Sequence, residues 1–150
     1  MLSYAEIEDA IVERLSELRE RRLVRAVGSY NGEFSPDSFA ALHLDYPRMY
    51  VCISALNMDV ANLKDACELT VQVHILSKNL RGERAARTGD VMTAGAYELA
   101  EAARGLLHRR CIGSGMMHLV SERVLQYSMQ AALCIFRCEY RLPQRNITKD

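Results

Sequence analysis

The chain has no tryptophan and only three phenylalanines among its 150 residues. Platforms that stack single-stranded nucleic acid are built from such rings, so that mode of binding is disfavoured. There is no surplus of charge either, since 19 lysines and arginines balance 19 aspartates and glutamates. A general attraction to nucleic acid or to an anionic membrane is therefore not implied, and any such binding must come from a local patch. No stretch approaches the ~18 apolar residues that a membrane helix needs. The opening MLSYAEIEDAI has early acids and no basic segment before an apolar run, so no signal peptide is expected.

Paired cysteines are missing too. Cys52, Cys67, Cys111, Cys134 and Cys138 are odd in number and show no paired spacing, which argues against a disulfide framework and for a reducing compartment. Three of them sit inside apolar strand patterns, where a free thiol acts as a small hydrophobe.

The chemical signatures are equally sparse. His43, His74, His108 and His118 form no H-x-x-x-H pair and lie near no C-x-x-C. Cys134 and Cys138 on a strand stand ~13 Å apart, too far to share a small ion. GSG at 113–115 lacks the spacing of a nucleophile elbow. The sequence places no orienting carboxylate for His118. Glu98 and Glu101 look like solvated helix acids. No metal, no cofactor and no enzymatic activity are expected.

What is present is regular patterning. Ser3 and Glu6 make an S-x-x-E capping box, in which each side chain satisfies an N–H of the first turn. Ile7, Ile11, Leu15 and Leu18 follow at helical spacing. Glu6, Glu8 and Asp9 come early and Arg19, Arg21 and Arg22 late, in the sense that complements the macrodipole. The acidic face of this helix reads as merely solvated. Strands are expected over Leu23–Ser29, Arg48–Met58, 67–77, Val124–Met129 and Ala131–Leu142. A short helix capped by Ser35 and Pro36 fits within the connection 30–47, and a further connection runs over 59–66.

The strand CELTVQVHILS is the clearest. Cys67, Leu69, Val71, Val73 and Ile75 share one face, while Glu68, Thr70, Gln72 and His74 share the other, so one face is core and one meets water or something polar. In the last strand, Cys134, Phe136, Cys138, Tyr140 and Leu142 oppose Arg137, Glu139 and Arg141. A second main helix is expected over Asp90–Arg109, capped by Thr88 or Asp90, with Met92, Ala96, Leu99, Ala103 and Leu106 inward. Gly95 and Gly105 each cost such a helix about 1 kcal/mol relative to Ala, and close approach to a sheet is the expected return. Residues 111–122 read as an irregular link. The expected architecture is one α+β domain over 1–150. It has a mixed, largely antiparallel sheet of four to five strands, with two main helices packed on one face. A polar C-terminal tail begins at about 143.

One connection stands out. SKNLRGERAARTGD carries Lys78, Arg81, Arg84 and Arg87 against only Glu83 and Asp90. It matches neither phosphate-loop nor dinucleotide-binding spacing, and Asp90 would itself occupy the positive helix end. A patch of cations can bind phosphates nonspecifically, but the rest of the chain is not basic. A solvated loop and a protein contact, where Arg is enriched, remain. Glu83 is also placed to pair with Arg87 at i+4.

The run LTVQVHILSKNLRGERAARTGDVMTAGAYELAEAARGLLHRR resembles the central signature of a small protein of Mu-like phages and prophages. AEIEDAIVERL at 5–15, Asn79–Glu83, Gly95–Leu99 and Tyr140–Leu142 carry the rest of the likeness, which is weak at 30–47 and 111–123. That family is similar to tail terminators, also called tail-completion proteins. The resemblance implies a structural virion protein with a sheet covered by helices on one side. It would form a homo-oligomeric ring, a hexamer, at the head-proximal end of the tail tube. There it would stop tube growth and meet the head–tail connector, and the sheath if the tail contracts. Its place would be the neck of the virion, after assembly in the host cytoplasm, away from any membrane. Nucleic acid would only pass through the lumen. On this reading Lys78, Arg81, Arg84 and Arg87, with Glu68, Gln72 and His74, are candidates for a subunit or tail-tube interface. The alternative is a small nucleic-acid-binding α+β domain using the basic loop 78–87.

Overall fold

A computed structural model describes residues 2–30, 45–58 and 66–145. Helix α1 spans Tyr4–Leu15 and opens on the expected capping box. Ser3 Oγ accepts from the Glu6 N–H at 3.2 Å, and Glu6 Oε2 accepts from the Ser3 N–H at 2.7 Å. Ser16 stays in the right-handed helical region, so helix α2 (Glu17–Glu20) continues α1 almost as one rod. Ile7, Ile11, Leu15 and Leu18 all lie buried along it. The Leu23 N–H then closes the rod on the Leu18 carbonyl. For that reason strand β1 (Ala26–Ser29) starts later than the expected Leu23.

Four further strands complete the main sheet: β2 (Arg48–Met58), β3 (Ala66–Lys78), β6 (His118–Ser128) and β7 (Leu133–Arg145). Their order is β1-β2-β3-β7-β6, with β1 parallel to β2 and every other pair antiparallel. Between helix and last hairpin sits a small second ladder, β4 (Cys111–Ile112) with β5 (Gly115–Met116). The mixed, largely antiparallel α+β architecture is therefore as expected. The chain 111–122 is not an irregular link but this hairpin and the start of β6. Likewise β7 runs past Leu142 to Arg145, so residues 143–145 belong to the sheet and not to a tail. The short helix expected around Ser35–Leu42 lies outside the described residues.

The helices share one face of the sheet. Val71, Val73 and Ile75 of β3 and Phe136, Cys138 and Tyr140 of β7 form one core with Ile7 and Ile11 and with Leu99 and Ala103 of the long second helix. That helix, α4, runs Ala96–Leu107, and a shorter helix α3 (Glu83–Thr88) precedes it. The expected start at Asp90 is thus six residues early. Neither Thr88 nor Asp90 caps α4; Gly95 does, and Met92 lies exposed outside the helix. On its far side α4 is tied to β6 by Arg104, whose Nε and Nη2 donate to the two Glu122 carboxylate oxygens.

The open face of the sheet is less uniform than the alternation of β3 implies. At one end Tyr50, Leu76, Leu133 and Ile135 form a second apolar cluster, with Tyr30, Tyr46 and Ala131 packed on it. The adjacent pair Ile75 and Leu76 marks where β3 becomes covered on both sides. The free edge β6 is interrupted by register shifts at Val120 and Leu125. Bulges of this kind twist an edge away from further strand pairing.

Gly95 approaches backbone closely, though the neighbour is the end of α3 and not the sheet. Gly105 has nothing within 4 Å of where a Cβ would stand, so close approach does not explain it. Gly105→Ala should therefore stabilise the chain by about 1 kcal/mol through helix propensity and a less entropic unfolded state. A urea titration reads this as a higher midpoint at unchanged slope; a lower midpoint would contradict it.

Candidate interaction surfaces

The cationic connection is an ordered structure held by its own polar groups. Ser77, buried at the end of β3, donates its hydroxyl to the Ala86 carbonyl at 2.7 Å and so anchors α3. Asn79 is buried as well; its Oδ1 accepts from the Arg81 N–H at 2.9 Å, and its Nδ2 donates to Asp90 Oδ2 at 3.0 Å. The other Asp90 oxygen accepts from the N–H groups of Met92 and Thr93, each at 2.9 Å. The backbone N–H of Met92, followed by the Asn79 amide, holds the Asp90 carboxyl below its ordinary range. Asp90 thus organises a turn, not a helix start.

The four cations part company here. Arg87 does not turn to Glu83. Its Nη1 donates to the Tyr97 hydroxyl at 2.6 Å, and its guanidinium lies 5.6 Å from the Tyr97 ring centre. Lys78, Arg81 and Arg84 are exposed. The same connection carries exposed apolar side chains that the sequence reading did not single out: Leu80 is 88% exposed, Val91 100% and Met92 89%. Exposed apolar groups among arginines are a composition that suits a protein partner better than solvent.

Glu68, Gln72 and His74 belong to a different surface, the open face of β3. Glu68 is ten residues from Lys78 along that strand, about 33 Å at the usual rise. The structure therefore separates the two sets of candidates. Glu68 faces Arg141 of β7 at 3.5 Å. Gln72 lies opposite Cys52 on β2 and Glu139 on β7. His74 is not on a wet surface, being only 5% exposed, with the Tyr30 ring 5.7 Å away. Burial first, and then Arg137 beside it, lower its pKa from 6.5 to about 4, so the ring is neutral at pH 7.

The same face carries a feature that strand-by-strand reading missed. Arg123 of β6 sits directly opposite Arg137 of β7. Like charges opposed across a ladder are destabilising, and among the described residues neither forms an ion pair. Only the register, which the sequence does not print, brings them together.

The remaining residues weighed for chemistry have structural places. Cys134 and Cys138 are fully buried, and burial pushes their thiols up to about 11 and about 12. GSG at 113–115 shapes the β4–β5 hairpin. There Ser114 Oγ accepts from the Arg145 N–H at 2.8 Å, and buried Gln144 donates to the Ile112 carbonyl at 2.7 Å. His118 begins β6, its ring 6.2 Å from that of His108, whose Nδ1 accepts from the Leu119 N–H. Among the described residues no helix is long and apolar enough to cross a membrane. Comparison with known proteins finds one family model that matches residues 3–145, described as Bacteriophage Mu, Gp37. No curated protein matches the chain.

Proposed function

Since the chain belongs to the bacteriophage Mu Gp37 family, we propose that this Mu-like phage protein is a structural component of the tail neck. In this reading it forms a ring of identical subunits, a hexamer, that caps the head-proximal end of the tail tube. The ring ends tube growth and presents a surface to the head–tail connector, and to the sheath in a contractile tail. The observation that carries the reading is the connection after β3. It is bonded from within, yet along its length it displays Leu80, Val91 and Met92 as well as Arg81 and Arg84. Such a surface is suited to a protein contact, which we assign to the tail tube. The five-stranded sheet with helices on one face agrees with the fold that the tail-terminator resemblance implies.

The test replaces Arg81 and Arg84 with Glu. Arg87 is left intact, because its bond to Tyr97 supports the local fold. Folded Arg81→Glu/Arg84→Glu protein should fail to cap tubes, so that electron microscopy shows tubes of uncontrolled length. Tubes capped as by the unchanged protein would overturn the assignment. The nucleic-acid reading of the same loop is weaker, because Arg87 is engaged and the exposed neighbours are apolar. It makes a distinct demand: duplex binding that weakens steeply and linearly in log salt.

A further inference from the structure

The open face of the sheet asks for an anionic partner. Arg123 and Arg137 stand directly opposite one another, and Arg141, paired with Glu68, follows four residues along β7. No described side chain neutralises the first two. A like-charged pair of this kind is tolerated at a cost that an opposing carboxylate would remove.

The same chain carries such carboxylates on its opposite layer. Asp9, Glu13 and Glu20 are exposed, and they recur with Glu6 and Glu17 at three- and four-residue steps along α1 and α2. Residues so spaced make one ridge of a helix, and this ridge lies opposite the buried stripe Ile7, Ile11, Leu15 and Leu18. Glu6 is used in the capping box and Glu17 pairs with Arg21, whereas Asp9, Glu13 and Glu20 form no ion pair among the described residues. The rod from residue 6 to residue 20 is about 21 Å long, enough to cross four strands at ~4.8 Å spacing.

We propose that copies of this chain join head to tail, the acidic ridge of α1–α2 on one copy seating on the Arg123–Arg137 pair of the next. This rests on the ring reading above and names the contact that builds the ring. Surfaces of opposite sign on opposite layers are complementary to each other and not to themselves. The contact is therefore heterologous, the kind that closes into rings when the rotation permits. It also accounts for strong local charge in a chain whose formal total is zero. A polyanion fits less well, because Glu139 and Glu68 interrupt the positive strip on β7 and β3. With the faces occupied in this way, the connection after β3 stays available to the tube.

The test uses two charge reversals, Asp9→Lys/Glu13→Lys and Arg123→Glu/Arg137→Glu, in the full chain, with folding checked by circular dichroism. Native mass spectrometry and analytical ultracentrifugation give the assembly state. The unchanged protein should form a closed multimer that loosens with salt, and each reversed variant should be monomeric. An equimolar mixture of the two should reassemble, since each supplies the sign that the other lacks. Multimers of unchanged mass from either variant would overturn this contact while leaving the ring reading intact. A monomeric unchanged protein would overturn both. A third result also counts against the contact: wild-type binding of a labelled DNA duplex that Arg123→Glu/Arg137→Glu abolishes without changing the assembly. That would assign the face to a polyanion.

Discussion

Gly95→Ala is expected to cost about 3 kcal/mol of stability, at the upper end of what a single methyl group does. The backbone of Gly95 is extended and would suit any residue, so the penalty is not conformational. It is a matter of space. A Cβ at Gly95 would stand 2.2 Å from the Gly89 nitrogen, 2.4 Å from the Arg87 oxygen and 2.5 Å from the Thr88 carbonyl carbon. All three are main-chain atoms, and no side-chain rotation relieves them. Relief requires the segment 89–95 to open, which breaks the bridge between Gly89 and Ala94 and disturbs the turn around Asp90. Arg87 would lose its seat on Tyr97 at the same time. Urea titration of Gly95→Ala beside Gly105→Ala is the sharp comparison, because both add one methyl to the same segment and should move the midpoint in opposite directions. A wild-type midpoint for Gly95→Ala would show that the close approach is not real.

Acid should weaken the fold through His74. The ring lies between Tyr50 on β2 and Arg137 on β7, with Tyr30 against it. Its folded pKa, about 4, is below the ordinary value of 6.5. The unfolded chain therefore binds the proton more readily than the folded one. His74 costs nothing above about pH 6.5, and its penalty grows as pH falls toward 4. Below both values the penalty is complete, on the order of 2–3 kcal/mol. Protonation would also place a third positive charge beside Arg137 and Arg123. Carboxylates titrate over part of the same range, so the measurement is the difference between the unchanged protein and His74→Gln in urea midpoints at pH 7 and pH 4.5. The unchanged protein should lose more over that interval. Equal losses in both would remove His74 from the account.

The family markers gain physical meaning from these contacts. The glycine of GAYEL is required by the backbone of the preceding turn. The asparagine of NLRGE is a buried organiser that holds Arg81 and Asp90 in place. The tyrosine of YRL is a fully buried core residue on the face beneath the helices.

Much of the fold was legible in the chain itself. Period-two alternation in 67–77 and 134–142 assigned the buried face of both central strands, because a side chain's face on a strand depends only on its parity. The S-x-x-E box and the stripe from Ile7 to Leu18 defined the first helix, because helical periodicity and capping are local. Where local signals conflicted, the reading slipped. Met92 and Asp90 fit a helical pattern, yet Asp90 spends its carboxylate on two N–H groups of a turn, and the helix waits for Gly95. His74 alternates with valines like its polar neighbours, yet Tyr30 arrives from the end of β1 and packs against it. The pairing of Arg123 with Arg137, and the placing of the acidic ridge on the opposite layer, depend on register and on which face the helices take. Both are settled by contacts between residues far apart in the chain, where the shared core outweighs local preference, and no short stretch of sequence encodes them.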